Sequence, residues 1–391
     1  MIKSRSKTEW YLALATLLIL AVAWWTGKEN RASTQSQKIE AFYPDSLYRI
    51  MPADQNIWLL QTQRQQDTLF LAAGKAKGYA GPVKILVQYN QELKIQQLHI
   101  WSASETPSYL SKVLNQEFIQ TFKGKDYDDG LKKLAQTDGV TGATTTCRAI
   151  AKATEKASGK IAQYTGHPFK ATRNNIPVMG SKEIILLLLF TLSMITRLPR
   201  FRYKKQTRWL TLAAGLILLG FVYGQPLTLT NINSFLMGFW PQWQTQLYLY
   251  ILILGMLLIL LTTGKNPYCH HFCPFGAFQE VLGLLGKARP IHLKTRYLWI
   301  WLQRALAWIA VIIALLTHNP GISDYVVFGA AFQFTGSNLL FILLGLITAT
   351  SLFIKKPWCS YLCPIRPIID YIRLFRTKTL QLWTGRKHQQ S

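Results

Sequence analysis

Acidic residues are scarce in this chain. Against 44 Lys and Arg residues there are only 18 Asp and Glu residues, which leaves a formal net charge of +26. Such an excess first suggests a nucleic-acid partner. However, the loops 224–245 and 318–337 contain no Lys or Arg, and 22 basic residues concentrate in four other segments: 3–7, 197–208, 265–296 and 355–387. This alternation is the positive-inside pattern, so we expect membrane lipids as partners and no nucleic acid.

Cysteine is scarce too, and the positions of the cysteines favour metal ligation over disulfide bonds. The chain has five cysteines. Cys147 lies in the region expected outside the cell membrane, where no second cysteine is present to form an intramolecular disulfide. The other four form two Cys-x-x-x-Cys pairs, Cys269 with Cys273 and Cys359 with Cys363. We expect both pairs on the reducing cytoplasmic side, where metal ligation is favoured over disulfide formation.

Long apolar runs are what the chain does have. They lie near 10–25, 184–196, 208–223, 246–263, 297–317 and 338–354. Because about 20 apolar residues in a helix cross a bilayer core, we predict six transmembrane helices. The second run, 184–196, is the shortest, and it needs its flanking residues to cross the bilayer core. The first is either a cleaved signal peptide or an anchor, and the lack of a small-x-small cleavage site favours an anchor.

These runs divide the chain into three parts: a cytoplasmic stub with an anchor at 1–27, an extracytoplasmic α+β domain at 28–175, and an all-α polytopic membrane domain with five helices at 176–391. In the second part, 83–90 and 94–101 alternate with period two and predict a β-hairpin. Segments 110–122 and 147–162 predict helices. The basic segments place the N-terminus in the cytoplasm, and the even number of crossings returns the C-terminus to the same side. We therefore expect a multi-pass protein of the bacterial inner membrane.

The membrane part contains an internal repeat. Pro267-Tyr-Cys-His-His-Phe-Cys-Pro274 recurs as Pro357-Trp-Cys-Ser-Tyr-Leu-Cys-Pro364. Each copy follows a helix predicted to run inward, so we expect both pairs at inner helix ends, with their thiolates one turn apart on one helix face. Four thiolates suit zinc or a [4Fe–4S] cluster, and the spacing and the prolines favour the cluster. His270 and His271 are either alternative ligands or interfacial residues.

A second candidate site precedes the helix predicted at 147. The sequence there is Asp138-Gly-Val-Thr-Gly-Ala-Thr144. Its glycines permit close backbone approach to a ligand, and a helix N-terminus offers unpaired N–H groups to a phosphate. On this local chemistry alone, a threonine-rich run before a helix is more typical of a helix cap.

The pattern of Asp138, Thr141, Gly142, Ala143 and Thr144 resembles the flavinylation motif of a known family. This is the FMN-binding domain in the flavin-carrying subunits of sodium-pumping NADH:quinone reductases and Rnf complexes. The resemblance implies FMN joined to Thr144 as a phosphoester. It also implies a flavin transferase as the partner that attaches it.

The same resemblance extends upstream of the motif. The segment 78–83, which includes Gly81, resembles the glycine-rich stretch before the hairpin of that family. Glu105 and Thr106 resemble the start of its Glu-Thr-Pro-Gly segment, which lines the isoalloxazine ring. This chain has Ser108 where the family usually has the glycine.

Residues 180–370 resemble the membrane domain of polyferredoxin-like proteins. These include regulators named for nitrous-oxide reductase and shorter relatives found beside reductive dehalogenases. The resemblance implies that Cys269, Cys273, Cys359 and Cys363 ligate iron–sulfur. Longer relatives add a cysteine-rich cytoplasmic ferredoxin. No cysteine follows Cys363 here, so the chain resembles the short form.

Together these features predict transmembrane electron transfer from a quinol or cytoplasmic donor to an extracytoplasmic acceptor, neither of which the sequence names. Because a ~30 Å apolar core would separate FMN from the cluster, we expect a third carrier, with a quinone as one candidate. Arg304, inside the fifth predicted span, either binds such a headgroup or extends toward the interface. The alternative function is a membrane redox sensor, or a maturation or regulatory protein for an extracytoplasmic metalloenzyme.

Overall fold

The protein is described from a computed structural model. The structure describes residues 7–35, 39, 42–44, 48–62, 68–115, 118–127, 143–169, 179–244, 246–290, 296–323 and 325–384. Its strands are β1 Tyr48–Asp54, β2 Ile57–Thr62, β3 Thr68–Lys77, β4 Pro82–Tyr89 and β5 Ile95–Ala103. Its α-helices are α1 Lys7–Gln35, α2 Pro107–Asn115, α3 Thr144–Thr165, α4 Ser181–Ile195, α5 Lys204–Ala214, α6 Leu229–Leu236, α7 Leu247–Thr263, α8 Pro274–Leu285, α9 Arg296–Leu316, α10 Phe328–Phe332, α11 Asn338–Phe353, α12 Pro357–Tyr361 and α13 Ile365–Thr384.

An α+β region precedes a helical region, as predicted. The five strands form an antiparallel sheet in the order β1-β2-β3-β4-β5, and the predicted hairpin is β4 with β5. The first three strands were not expected from the sequence. In β3 the run of alanines around Gly74 has low strand propensity. There α3 packs so closely that a Cβ on Gly74 would lie 1.8 Å from the carbonyl oxygen of Ala153.

Each of the six apolar runs contains a helix. Two stretches, Trp10–Glu29 in α1 and Tyr297–Leu316 in α9, are long and apolar enough to cross a membrane. The apolar helices α7 and α11 are shorter, at Leu247–Thr263 and Asn338–Phe353. The structure therefore gives two clear candidate spans among the residues it describes, and the number six stays a prediction.

The helical region differs from the expectation in the segments that carry the cysteines. The first pair spans a π-helical turn at Tyr268–Phe272, and Cys273 has extended backbone angles (φ −66°, ψ 119°). The second pair begins in α12, and Cys363 lies beyond its end. Neither pair is thus held on one regular helical face. The proline after Cys273 begins α8 instead of ending a helix, because proline is well tolerated in the first helical turn.

The two cysteine segments also pack against other helices of the helical region. A Cβ on Gly215 would lie 2.5 Å from the carbonyl oxygen of Phe272, and Gly215 lies within the run formed by α5 and the following π-helix, Gly215–Val222. Gln303, inside α9, donates a hydrogen bond from Nε2 to the carbonyl oxygen of Cys363 (2.9 Å). Both cysteine segments therefore pack against neighbouring helices. They also lie where α7 and α11 have ended and before α8 and α13 begin, and Cys273 is the residue that precedes α8. The pairs thus lie between helix ends, and their location on the inner side stays a prediction.

The α+β region packs directly on loops of the helical region. A Cβ on Gly321 would lie 2.4 Å from the carbonyl carbon of Glu105. Tyr109 donates a hydrogen bond from its hydroxyl to Gln333 Oε1 (2.5 Å). Ser234 donates a side-chain hydrogen bond to the carbonyl oxygen of Ala80. This contact sets the position of the first candidate site relative to the second.

Candidate flavin and iron–sulfur sites

Glu105 is the buried centre of the first site. It is 2% exposed, and its Oε2 accepts a hydrogen bond from Thr146 Oγ1 (3.1 Å). A Cβ on Gly78 would lie 1.9 Å from Glu105 Oε1, and one on Gly81 would lie 2.7 Å from the Cβ of Ser104. Only glycine permits these approaches, so the segment 78–81 closes over the carboxyl group. Burial raises the pKa of Glu105 to about 7, so much of it is protonated at neutral pH.

Thr144 begins α3 beside this carboxyl group. The residue before it, Ala143, makes no side-chain cap hydrogen bond, so the first N–H groups of the helix are free of a side-chain cap. Such a terminus can receive a phosphate. Thr144 is half-buried, whereas Thr146 is 1% exposed. The predicted motif residues Asp138, Thr141 and Gly142 lie outside the described residues.

A narrow pocket lies where the two regions meet. Tyr79 and Tyr109 contribute one wall with ring centroids 5.3 Å apart. Phe328, Phe332 and Gln333 contribute to the opposite wall. Its cavity volume is about 10 Å³, room for about one water molecule. Thr106, predicted from the sequence, is buried and accepts a backbone hydrogen bond from Tyr109 N (3.0 Å), so it fixes the start of α2 below this pocket.

The four paired cysteines lie together in the helical region. Cys269 is within electrostatic range of Cys273, Cys359 and Cys363, and all four belong to or pack against one buried apolar core. Among the residues that the structure describes, no group of three or more His, Cys, Asp or Glu side chains is spaced to hold a single metal ion. The structure therefore brings the predicted ligands together without closing them on one ion.

Hydrogen-bond donors surround the sulfur atoms. Asn266 donates from Nδ2 to Cys269 Sγ (3.0 Å). Backbone N–H groups of Phe275 and Gly276 hydrogen-bond to the sulfur of Cys273, and those of Ile365 and Arg366 do the same for Cys363. Donors aimed at sulfur stabilise the negative charge of a thiolate-ligated cluster. Four thiols, of which Cys273 and Cys363 are buried and Cys269 and Cys359 half-buried, fit an iron–sulfur cluster in these surroundings.

Charged residues and histidines near the cysteines have structural partners. Glu280 forms ion pairs with Arg208 and Lys356, each at 2.7 Å, which joins α5, α8 and the start of α12. His271 is buried within hydrogen-bond range of the hydroxyls of Thr196 (3.4 Å) and Thr211 (3.5 Å). These contacts favour the interpretation of His271 as a packing residue over that of a ligand.

Packed aromatic rings connect the two sites. Trp358 precedes Cys359 and lies 5.9 Å from the ring of Phe275. Phe275 lies 5.3 Å from Phe328, which lines the pocket beside Tyr79. Trp358, Phe275 and Phe328 are each at most 4% exposed. The space between the cysteines and the pocket is therefore filled with side chains in van der Waals contact.

Comparisons with known proteins assign both parts of the chain. Residues 78–159 match the FMN-binding domain family. Residues 245–292 and 338–380 match the 4Fe-4S binding domain family, and these two stretches contain the four cysteines. The chain is a fusion of these two domains. The resemblance inferred from the motifs is confirmed.

Three relatives share parts of this fusion. Regulatory protein NosR of Pseudomonas aeruginosa is 26% identical over 199 residues, which cover 46% of this chain and 27% of that protein. Protein NirI of Paracoccus denitrificans is 27% identical over 200 residues, covering 46% of this chain and 28% of that protein. A component of the proton-translocating ferredoxin:NAD(+) oxidoreductase complex of Clostridium ljungdahlii is 26% identical over 114 residues, covering 28% of this chain and 62% of that protein. The matched segment is thus less than two thirds of each relative's length.

Several residues of the FMN-binding and 4Fe-4S sites had no role in the sequence prediction. Tyr79 lies inside the glycine-rich segment that was noted, so its position was the available signal. Thr146 follows the predicted attachment residue by two positions. Asn266 lies three residues before Cys269, directly beside the first cysteine motif. Tyr109 and Gln333 contact each other across 224 residues, and no local pattern indicates them.

Proposed function

We propose that the protein carries electrons across the bacterial inner membrane, between a quinol or cytoplasmic donor and an extracytoplasmic acceptor. When bound, FMN supplies one- and two-electron redox chemistry and an iron–sulfur cluster supplies one-electron chemistry. The observation that carries the proposal is the line of buried rings from Trp358 to Phe328. It joins the cysteine core to the pocket beside Tyr79 and Tyr109.

The residues of the first site would hold and tune the flavin. Thr144 offers its hydroxyl for the phosphoester at the uncapped start of α3. Tyr79 and Tyr109 line the nearby pocket with flat aromatic side chains, which would have to separate from the opposite wall to admit a flavin ring. Glu105, with its pKa raised to about 7, holds or releases a proton next to this pocket near neutral pH. We propose that a flavin transferase attaches the FMN.

The residues of the second site would bring the cluster close to the flavin. Cys269, Cys273, Cys359 and Cys363 are the proposed ligands. The rings of Trp358, Phe275 and Phe328 fill the space between the cysteine segments and the pocket, so a cluster there would be separated from the flavin by a short run of packed side chains. Leu227, in the loop between the π-helix and α6, donates a backbone hydrogen bond to the hydroxyl of Tyr268 (3.0 Å), next to Cys269. Electron tunnelling falls steeply with distance, so this placement favours transfer. A third carrier stays a prediction.

The proposed topology has six spans, both termini in the cytoplasm and the FMN-binding domain outside. The charge distribution supports it: the loops 224–245 and 318–337, which reach toward the FMN-binding domain, contain no Lys or Arg. Reporter fusions after Gln242 and Lys287, both exposed, test the assignment. We expect alkaline-phosphatase activity at Gln242 alone. Activity at Lys287 alone would invert the proposed direction of transfer.

Covalent attachment has a direct test with a matched control. Co-expression with a flavin transferase is expected to give a band that fluoresces under ultraviolet light on a denaturing gel. Thr144→Ala is expected to abolish the band, whereas Thr145→Ala, the next hydroxyl of the same run, keeps it. A fluorescent band that survives Thr144→Ala would refute the attachment site.

A sensor or maturation role is the second candidate, and the name of one relative, regulatory protein NosR, favours it. The two functions differ in turnover. A carrier passes many electrons per chain to an added extracytoplasmic acceptor dye. A sensor takes up only the electrons that its own cofactors hold. Reduction of more dye than those electrons account for would therefore identify the protein as a carrier.

A further inference from the structure

A second cavity lies between α1, α9 and α13, away from the flavin pocket. Its volume is about 220 Å³, which accommodates one substituted ring but not a whole flavin nucleotide. Apolar side chains form most of its wall. The aromatic and polar side chains that line it are Thr16, Trp301, Arg304, Trp308, Asp370 and Tyr371.

We propose that this cavity binds the ring of an isoprenoid quinone or quinol. The inference rests on the proposed electron-transfer function and names the donor and its site. A quinone needs flat apolar walls and donors for its carbonyl oxygens at the ring edge. Trp301 and Trp308 supply aromatic walls two turns apart on α9. Arg304, whose guanidinium lies 5.1 Å from the Trp301 ring centroid, supplies donors at their edge.

Two hydroxyl groups complete the polar edge. Thr16 Oγ1 donates to the hydroxyl of Tyr371 (3.2 Å), which itself donates to the carbonyl oxygen of Ala13 (2.5 Å). These bonds fix the Tyr371 hydroxyl at the cavity wall. Few convergent polar groups in an otherwise apolar cavity are the pattern of a small-molecule site.

The cavity shares its helices with the cysteine site. Pro367, on its wall, lies one helical turn beyond Cys363 in α13. On α9, Gln303 contacts the carbonyl oxygen of Cys363 (2.9 Å), and the next residue is Arg304. A ring bound here would therefore lie close to the proposed cluster, as an electron donor must.

The surroundings fit a quinol ring with its tail in the bilayer. The Asp370 carboxylate, which also pairs with Arg373 (3.5 Å), lines the same cavity and has oxygen atoms that can accept a hydrogen bond from a quinol hydroxyl. The cavity also opens toward lipid. Leu12 on its wall is 53% exposed, and α1 and α9 are the two stretches long enough to span. An isoprenoid tail can thus remain in the bilayer.

The test measures binding to the oxidised holoprotein in detergent. The probe is a ubiquinone with one isoprene unit, followed by quenching of tryptophan fluorescence. Ala305→Phe fills the cavity, and Arg304→Leu removes the donors. We expect both to weaken binding by a factor of ~10 or more, which corresponds to about 1.4 kcal/mol. Leu306→Phe, on the opposite face of α9 and 38% exposed, should bind as the wild type does.

Iron and FMN contents are measured in the same samples, and unchanged contents show that a variant is folded. Wild-type affinity in both Ala305→Phe and Arg304→Leu would overturn the inference, as would displacement of the probe by an anionic phospholipid. The proposed function is tested apart from this, with a soluble chemical reductant in place of quinol. If FMN is reduced through the protein by that reductant while the quinone does not bind at this cavity, only the quinone site is refuted.

Discussion

The buried carboxyl group of Glu105 gives the FMN-binding domain a pH-dependent stability. Its pKa is raised from 4.5 to about 7 by burial, and Thr146 donates a hydrogen bond to it (3.1 Å). A raised folded-state pKa means that the protonated form is favoured on folding. The stability that this provides is complete below pH 4.5 and is lost as the pH rises through about 7.

The magnitude follows from the shift. Each pKa unit corresponds to 1.36 kcal/mol, so the full loss is about 3 kcal/mol. Between about pH 5 and pH 8 the linkage relation gives most of it, roughly 2 to 3 kcal/mol. Glu105→Gln keeps the shape of the side chain and cannot ionise, so this loss should be absent. Burial lowers the pKa of Lys77 to about 8, and the charge of Glu105 acts against this shift. The titration of Lys77 therefore differs between the two proteins, and repeating the comparison in a Lys77→Met background isolates the contribution of Glu105.

Urea unfolding of the full-length holoprotein, followed by fluorescence of the attached FMN, measures the local stability. We expect the wild type to lose roughly 2 to 3 kcal/mol more than Glu105→Gln between about pH 5 and pH 8. Thr121→Val, on the same domain but away from this carboxyl group, serves as a control and should follow the wild type. Equal pH dependence in the wild type and Glu105→Gln would refute the account of a protonated buried carboxyl group.

Three further predictions follow from contacts between and within the sites. In Gly321→Val the new Cβ would lie 2.4 Å from the backbone of Glu105, so flavin reduction should slow several-fold while the FMN and iron contents stay normal. Gly345→Val, at an open position, is the control and should not slow it. Phe275→Leu opens a gap in the buried ring contacts and should slow flavin reduction as measured by stopped-flow absorbance, whereas the exposed control Phe334→Leu should not. Cys359→Ser combined with Cys363→Ser should remove iron from anaerobically purified protein, whereas Cys147→Ser should retain it; full iron content in the double variant would exclude joint ligation.

The sequence predicted the parts of this protein that depend on local pattern. Segments 83–90 and 94–101 alternate, and they form β4 and β5. The alanine-rich segment from 147 forms most of α3. The repeated cysteine motif correctly indicated that four distant thiols come together, because both copies follow similar apolar helices.

Other features depend on contacts that are distant in sequence, and the pattern did not reveal them. Gly215 approaches the backbone of Phe272, and this close contact accompanies the turn of the first cysteine segment into the helical region. A Cys-x-x-x-Cys spacing predicts a regular helix, but the residue before a proline is biased toward extended backbone angles, which Cys273 adopts. The interdomain pocket joins Tyr109 to Gln333 across 224 residues, a contact that no periodicity in either segment indicates.

The central claim is that the cysteine core and Thr144 lie on one electron path across the membrane. It is tested in sealed vesicles with the FMN-binding domain facing out, a soluble reductant enclosed inside and a membrane-impermeant acceptor dye outside. The account predicts sustained dye reduction by the wild type and its loss in Thr144→Ala and in the double variant Cys359→Ser with Cys363→Ser. Wild-type rates of dye reduction in either variant would contradict it.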